Sequence, residues 1–221
     1  MQALRQRFVD APDSWAARRR TRRWTWLVET FPDLAELSVI DLGGSVESWR
    51  RAPVRPRRVH VVNLEEQPGE VPEWAEVDYG DACALPDRIT SRRYDLVFSN
   101  SVIEHVGGHE RRVRFAEAVR GLADRYWVQT PYRYFPVEPH YLAPGMQFTP
   151  TALRHRIAYR WPLSHTRAAN RRDALTESLW VELLDRTQMR YYFPDATLRQ
   201  EKVAGLTKSL IAFRSVARSA G

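Results

Sequence analysis

Two stretches of this chain carry residue types that can do chemistry. The first, NSVIEHVGGHE (100–110), follows the apolar run YDLVF (94–98) and sets Glu104 beside His105. A carboxylate next to an imidazole at the exit of a strand can move a proton near neutral pH, or merely cap the strand and open a loop. The second, VIDLGGSVESW (39–49), runs from apolar residues through an acid to a Gly pair and on into a helical pattern. Glycines there let the backbone approach a ligand closely at the carboxyl edge of a sheet, a place suited to a nucleotide-type cofactor. The dinucleotide fingerprint GxGxxG is not present, which removes the main support for a nicotinamide or flavin enzyme.

The elements that must position these residues follow from alternation of short apolar runs with helical patterns, the signature of an α/β chain with a mostly parallel sheet and helices on both faces. Strands are expected at 38–42, 58–63, 75–78, 94–99 and 125–129. Between the last two, Val113, Phe115, Ala118, Val119 and Leu122 are spaced for a helix with one apolar face over 109–125. At the C-terminus, TLRQEKVAGLTKSLIAFRS (197–215) gives two β-rich runs about a Gly-containing turn, so an antiparallel pair should close the sheet edge. A Pro, Tyr and Arg-rich stretch from 131 to 172, ending in a basic helix candidate, is long for a connection inside a compact domain, and such loops tend to be functional.

Composition bounds the rest. With 221 residues the chain suffices for one α/β domain and its core. Apolar runs stay short of the roughly 18 residues that cross a bilayer, and MQALRQRFVDAPD lacks the apolar segment of a secretory signal, so a cytoplasmic protein is expected. A single cysteine, Cys83, excludes an intrachain disulfide and any multi-cysteine metal site. The net charge of +7 is almost wholly arginine, Lys202 and Lys208 being the only lysines. It admits a nucleic-acid partner, but charge of this kind is usually dispersed over a solvated surface. The densest cluster, ARRRTRRWTW (17–26), reads as an arginine-faced helix that packs through Trp24, Trp26 and Leu27.

Taken in order, these landmarks resemble the class I S-adenosylmethionine-dependent methyltransferases over roughly residues 36–131 and the C-terminal hairpin. The resemblance implies a Rossmann-like, seven-stranded, mostly parallel sheet. It also implies an N-terminal helical lid (1–35) and a methyltransferase domain (36–221) with a substrate-covering insertion at about 131–190. Asp41, Gly43, Gly44 and Ser45 are similar to the family's first motif, though Ser45 and Glu47 stand where further glycines are common. Asn63 takes the place of the acid that holds the ribose hydroxyls, with Glu65 and Glu66 just beyond. In DYGDACALP (78–86), Asp81 would accept from the adenine amino group and Ala82 would offer its backbone. YDLVFSNSVIEHV (94–106) resembles the fourth-strand motif, with Asn100 and Ser101 at its polar exit on the cofactor side.

Methyl transfer from a sulfonium is an in-line displacement, so the protein's main task is alignment, and an alcohol acceptor must also lose a proton. The small-RNA 3′-terminal 2′-O-methyltransferases and some quinone O-methyltransferases carry two acids three apart followed by His at this exit. Here the first acid is Ser101, leaving Glu104, His105 and, in VEPHY, His140. The resemblance implies these three either as ligands of a divalent ion such as Mg²⁺, with His140 or His105 as a metal-free base the other reading. The implied activity is O-methylation of a small-molecule hydroxyl, most simply a carbohydrate. An RNA 2′-O-methyltransferase and a non-catalytic cofactor-binding protein are the alternatives. His60 reads as structural, His109 as the start of a helix, and His155 and His165 as surface residues of the insertion. Most of Trp15, Trp24, Trp26, Tyr132, Tyr134, Tyr141 and Trp161 read as core or lid packing.

Overall fold

The computed structural model describes residues 15–161 and 169–216. The chain opens with α1 (Trp15–Thr30) and a 3₁₀ turn (Leu34–Glu36), followed by β1 (Ser38–Leu42), α2 (Val46–Arg50), β2 (Arg58–Asn63) and β3 (Ala75–Tyr79). Next come α3 (Asp87–Thr90), β4 (Leu96–Asn100), α4 (His109–Leu122) and β5 (Tyr126–Pro131). The insertion forms β6 (Val137–Glu138), β7 (Ala143–Pro144), a 3₁₀ turn, α5 (Thr151–Arg160) and α6 (Arg171–Trp180). Finally α7 (Arg186–Tyr192) leads into the hairpin of β8 (Thr197–Val203) and β9 (Leu206–Arg214).

Seven strands form one sheet in the order β3-β2-β1-β4-β5-β9-β8. The first five are parallel, and β9 runs antiparallel to β5 and to β8. Strand order reverses between β1 and β4, and the cleft outside the carboxyl ends at such a switch point is where open α/β sheets bind ligands. The hairpin turns on Ala204 and Gly205, both at positive φ (47° and 82°), as a two-residue turn requires.

Side chains alternate across the strands with a period of two. Val39, Val59, Val61, Leu96, Phe98 and Trp127 face a layer made by Trp24, Leu27 and Phe31 of α1 with Trp49 of α2. Ile40, Leu42, Val62, Val97, Tyr126 and Val128 face Ile89, Phe115, Val119 and Leu122 of α3 and α4, with Met189 of α7. Trp24 stacks on Phe98 at 5.7 Å between centroids, so α1 covers one face of the sheet as the arginine-rich pattern suggests. Residues 1–14, part of the expected lid, and His165 lie outside the described residues. No helix among the described residues is long and apolar enough to cross a membrane.

The basic helix expected in the insertion is α5, whereas α6 is absent from the sequence reading. Among the described side chains of its pattern RRDALTESLW only Ala174 and Ser178 are buried, too few for a clear apolar stripe. It starts because the Asn170 side chain accepts from Asp173 N, a regular N-cap. Tyr141, Ala143, Met146 and Ala158 give the insertion a small core of its own. Its exit is tied to the main sheet by Glu182 N to Glu104 O (2.9 Å) and Arg133 N to Leu184 O (2.9 Å).

Candidate active site

The carboxyl ends of β1 to β4 and the insertion enclose a cavity of about 760 Å³. On the β1 side, Gly43 adopts φ +82°, and a Cβ there would lie 2.5 Å from a Val102 methyl. Only glycine fits, for both reasons. Asp41 does not line the cavity. It is buried beneath the turn, where Trp49 Nε1 donates to Oδ2 (2.8 Å) while Oδ1 has no partner. Burial raises its pKa to about 7, against the lowering effect of the Trp49 bond. A Cβ on Gly44 would sit 1.8 Å from the Asp41 carboxylate, so that glycine is required by the acid below it. Ser45 is the N-cap of α2, accepting from Ser48 N (3.3 Å). Asn63 does line the cavity, with its amide donating to Gly44 O (2.8 Å) and accepting from Glu65 N (3.1 Å).

The β3 exit supplies Asp81 and Ala82 to the cavity wall. Asp81 is held by Cys83 N (2.9 Å) and by Arg111, whose Nη2 lies 2.7 Å from Oδ2. Burial alone would raise the Asp81 pKa, but the bonds from Arg111 and Cys83 N keep it below the ordinary value. Leu64 and Glu65 from the β2 exit and Val106 after β4 complete this half.

The opposite half brings Glu104, His105 and His140 together, with one ligand-type atom from each within 4.8 Å of the others. His105 and His140 line the cavity, whereas Glu104 is fully buried behind them. Thr130 Oγ1 donates to Glu104 Oε2 (3.0 Å), and Oε1 has no partner. Burial pushes its pKa up to about 7, opposed by hydrogen bonds and by the nearby His140 and Arg112. His140 Nε2 is 3.1 Å from His105 Nε2, and His140 Nδ1 is 2.7 Å from Glu138 Oε1. A carboxylate only accepts, so His140 carries hydrogen on Nδ1. In the neutral pair, His140 Nε2 is therefore bare and His105 Nε2 donates to it. Glu138 is itself buried and fixed by Tyr141 N (2.8 Å).

Ser101 and Asn100 sit at the β4 exit in different settings. Ser101, at φ 61°, lines the cavity and donates to Gln129 Oε1 (3.0 Å). Asn100 is exposed outside the cavity and accepts from Arg23 of α1 (3.1 Å). Sequence reasoning missed Glu138, Arg111 and the insertion's Thr176, Trp180 and Val181, which line the far wall with Tyr141. For Glu138 the signal was proximity alone, an acid two residues before His140 in VEPHY, and the turn after β6 brings the two together. Other histidines keep local roles: His60 bonds Tyr94 and Asp78, His109 opens α4 and bonds Tyr192, and His155 bonds Thr151 O within α5.

No protein-family model matches the chain. A 78-residue stretch is 33% identical to two uncharacterized proteins of Mycobacterium tuberculosis, MT1557 (strain CDC 1551) and Rv1509 (strain H37Rv), covering 34% of this chain. The match spans about a quarter of the length of those curated relatives, 27%. Among solved structures, the magnesium protoporphyrin IX methyltransferase ChlM of Synechocystis PCC 6803 with bound S-adenosylhomocysteine (SAH) superposes with TM-score 0.50 and 18% identity. That alignment covers 89% of this chain and 82% of ChlM. The N-terminal domain of EvdMO1, solved with SAH and D-fucose, gives TM-score 0.51 and 16% identity over 90% of this chain and 83% of its own. A Rhodobacter sphaeroides structure described under Zn-dependent alcohol dehydrogenases gives 0.56 and 12% over 87% of each. These likenesses establish the fold: a Rossmann-like sheet closed by an antiparallel hairpin, as in S-adenosylmethionine-dependent methyltransferases.

Proposed function

We propose that the chain is an S-adenosylmethionine-dependent O-methyltransferase acting on a small-molecule hydroxyl, with a carbohydrate as the first acceptor to try. One observation carries the reading. A single cavity joins a glycine-only turn and an ionised Asp81 at one end to a Glu138–His140–His105 chain at the other.

The cofactor fits the residues present. Gly43 keeps side-chain atoms off the turn, Asp81 and Ala82 offer an acceptor and a backbone to a base, and Glu65 reaches the wall where ribose hydroxyls would lie. S-adenosylmethionine, when bound, supplies an electrophilic methyl group. The protein's own task is then to align the acceptor and remove its proton. His140 Nε2 takes that proton once the acceptor hydroxyl displaces the His105 Nε2–H from its lone pair, and Glu138 stabilises the resulting imidazolium through Nδ1–H, holding the ring in one tautomer. Thr176, Trp180 and Val181 line the acceptor wall, where the aromatic surface of Trp180 and Tyr141 suits a sugar ring.

A second reading is favoured by the unpartnered, buried Glu104 Oε1. Glu104, His105 and His140 fit a divalent ion, and two ring nitrogens with one carboxylate suit a transition ion such as Zn²⁺ better than Mg²⁺. Such an ion would acidify the acceptor hydroxyl.

Transfer of a labelled methyl group to a panel of sugars, phenols and RNA tests the function. The expected result is label on a small hydroxyl compound that persists in chelator. Activity lost in chelator and restored by a divalent ion would select the metal reading. Label on RNA with steep salt dependence would replace the small-molecule acceptor.

A further inference from the structure

The purine end of the cavity holds a cation that the proposed chemistry leaves unused. Arg111 stands in the first turn of α4, where positive charge opposes the helix dipole, so its placement needs a compensating partner. That partner is Asp81, which faces Nη2 through both oxygens, at 3.0 Å to Oδ1 and 2.7 Å to Oδ2. The neighbouring loop is shaped for the contact. Arg111 Nε donates to Val106 O, and a Cβ on Gly107, itself at φ +102°, would lie 3.2 Å from Arg111 Cδ. Cys83 N occupies Oδ1 from a third direction, at 2.9 Å. Counting N–H donors, Oδ1 has two and Oδ2 one, and the Cys83 thiol also bonds the carboxylate. A carboxylate oxygen has room for two donors, so an amino group can take the direction on Oδ2 that Nη2 leaves, displacing the weakly donating thiol if it lies there, on a carboxylate held from two sides.

We propose that Arg111 is a specificity-determining residue of the cofactor site: it locks Asp81 so that Oδ2 accepts from an exocyclic amino group and repels a carbonyl at the same position. The inference rests on the methyltransferase reading. A site built to pair with a donor rejects an analogue that presents an acceptor, because its carboxylate is left facing a like dipole. Without the guanidinium only Cys83 holds the carboxylate, from one side, and both affinity and base selectivity fall. Lysine keeps the charge but has one nitrogen, so it cannot bond the carboxylate as Nη2 does while a second nitrogen is anchored on Val106 O as Nε is.

Calorimetry with SAH and with S-inosylhomocysteine, which differs only in the base, tests this on the wild type, Arg111→Met and Arg111→Lys. Methionine keeps the apolar stem of the side chain. The wild type should prefer SAH by at least about a hundredfold, Arg111→Met should bind SAH about tenfold more weakly with the preference reduced about tenfold, and Arg111→Lys should fall between. The ratio of two affinities on one preparation does not depend on the folded fraction, so a destabilised variant still reports. Wild-type binding of SAH with both affinity and preference unchanged in Arg111→Met would overturn the role of Arg111 and leave the methyltransferase reading standing. A wild type that binds neither compound would take both down.

Discussion

The two halves of the cavity are built in opposite ways. The cofactor half is made of strand exits: Asn63 ends β2, while Gly43, Asp81 and Val102 each follow a parallel strand by one or two residues, and their places are set by the main sheet. The acceptor half is made by a separate layer with its own small core, which lowers His140, Tyr141, Thr176 and Trp180 onto the exit of β4. Only the Glu104 and His105 segment belongs to both. Changes on the strand side should therefore act on cofactor affinity, and changes on the insertion side on turnover and acceptor affinity.

The largest expected effect breaks the strand side. Gly43→Val drives side-chain atoms toward Val102 at a positive φ, and SAH binding should disappear in calorimetry. Retained binding would place the cofactor elsewhere. On the insertion side, His140→Ala should lower kcat by about 10²- to 10⁴-fold while SAH affinity stays within about twofold. A parallel loss of SAH affinity would erase the distinction between the halves. Glu138→Gln, which keeps the side chain's shape but removes its charge, should cost about 10- to 100-fold in kcat. A KM effect alone would make Glu138 a packing residue. Trp180→Ala should raise acceptor KM several-fold with kcat little changed, read from initial rates.

Asp41 gives a prediction of stability. Its folded pKa, near 7, lies above the ordinary carboxyl value of 3.8, so the folded state binds the extra proton between those values. Its contribution is therefore best at low pH and is lost as pH rises from about 4 through 7. Asp41→Asn should remove that slope, gaining on the wild type by on the order of 3 kcal/mol between pH 4.5 and 8 in urea melts. Parallel pH profiles would mean that the Asp41 carboxylate is solvated.

How far the sequence could be read divides along the same line. The sheet was legible because each strand announces itself locally, through an apolar run and a polar or glycine exit, as in VIDLGG and YDLVFSNS. β4 starts at Leu96, two residues later than expected, and the backbone of Tyr94 instead bonds Leu122 O at the end of α4. The acceptor half depends on contacts between segments 35 residues apart, such as His105 with His140, which no local pattern encodes. Helix α6 was missed because it buries too little of itself to show a period. Arg111 was hidden among many arginines, and only its fold-back over Gly107 onto Asp81 distinguishes it. Asp41 shows the reverse: its position was legible, but its burial under Gly44 was not.

The most direct measurement is a crystal structure of the protein grown with SAH. The adenine should lie at Asp81 and Ala82, the amino-acid end at Gly43, and the sulfur should face the His105–His140 pair. SAH bound outside this cavity, or inside it with the sulfur turned from the histidines, would contradict the account.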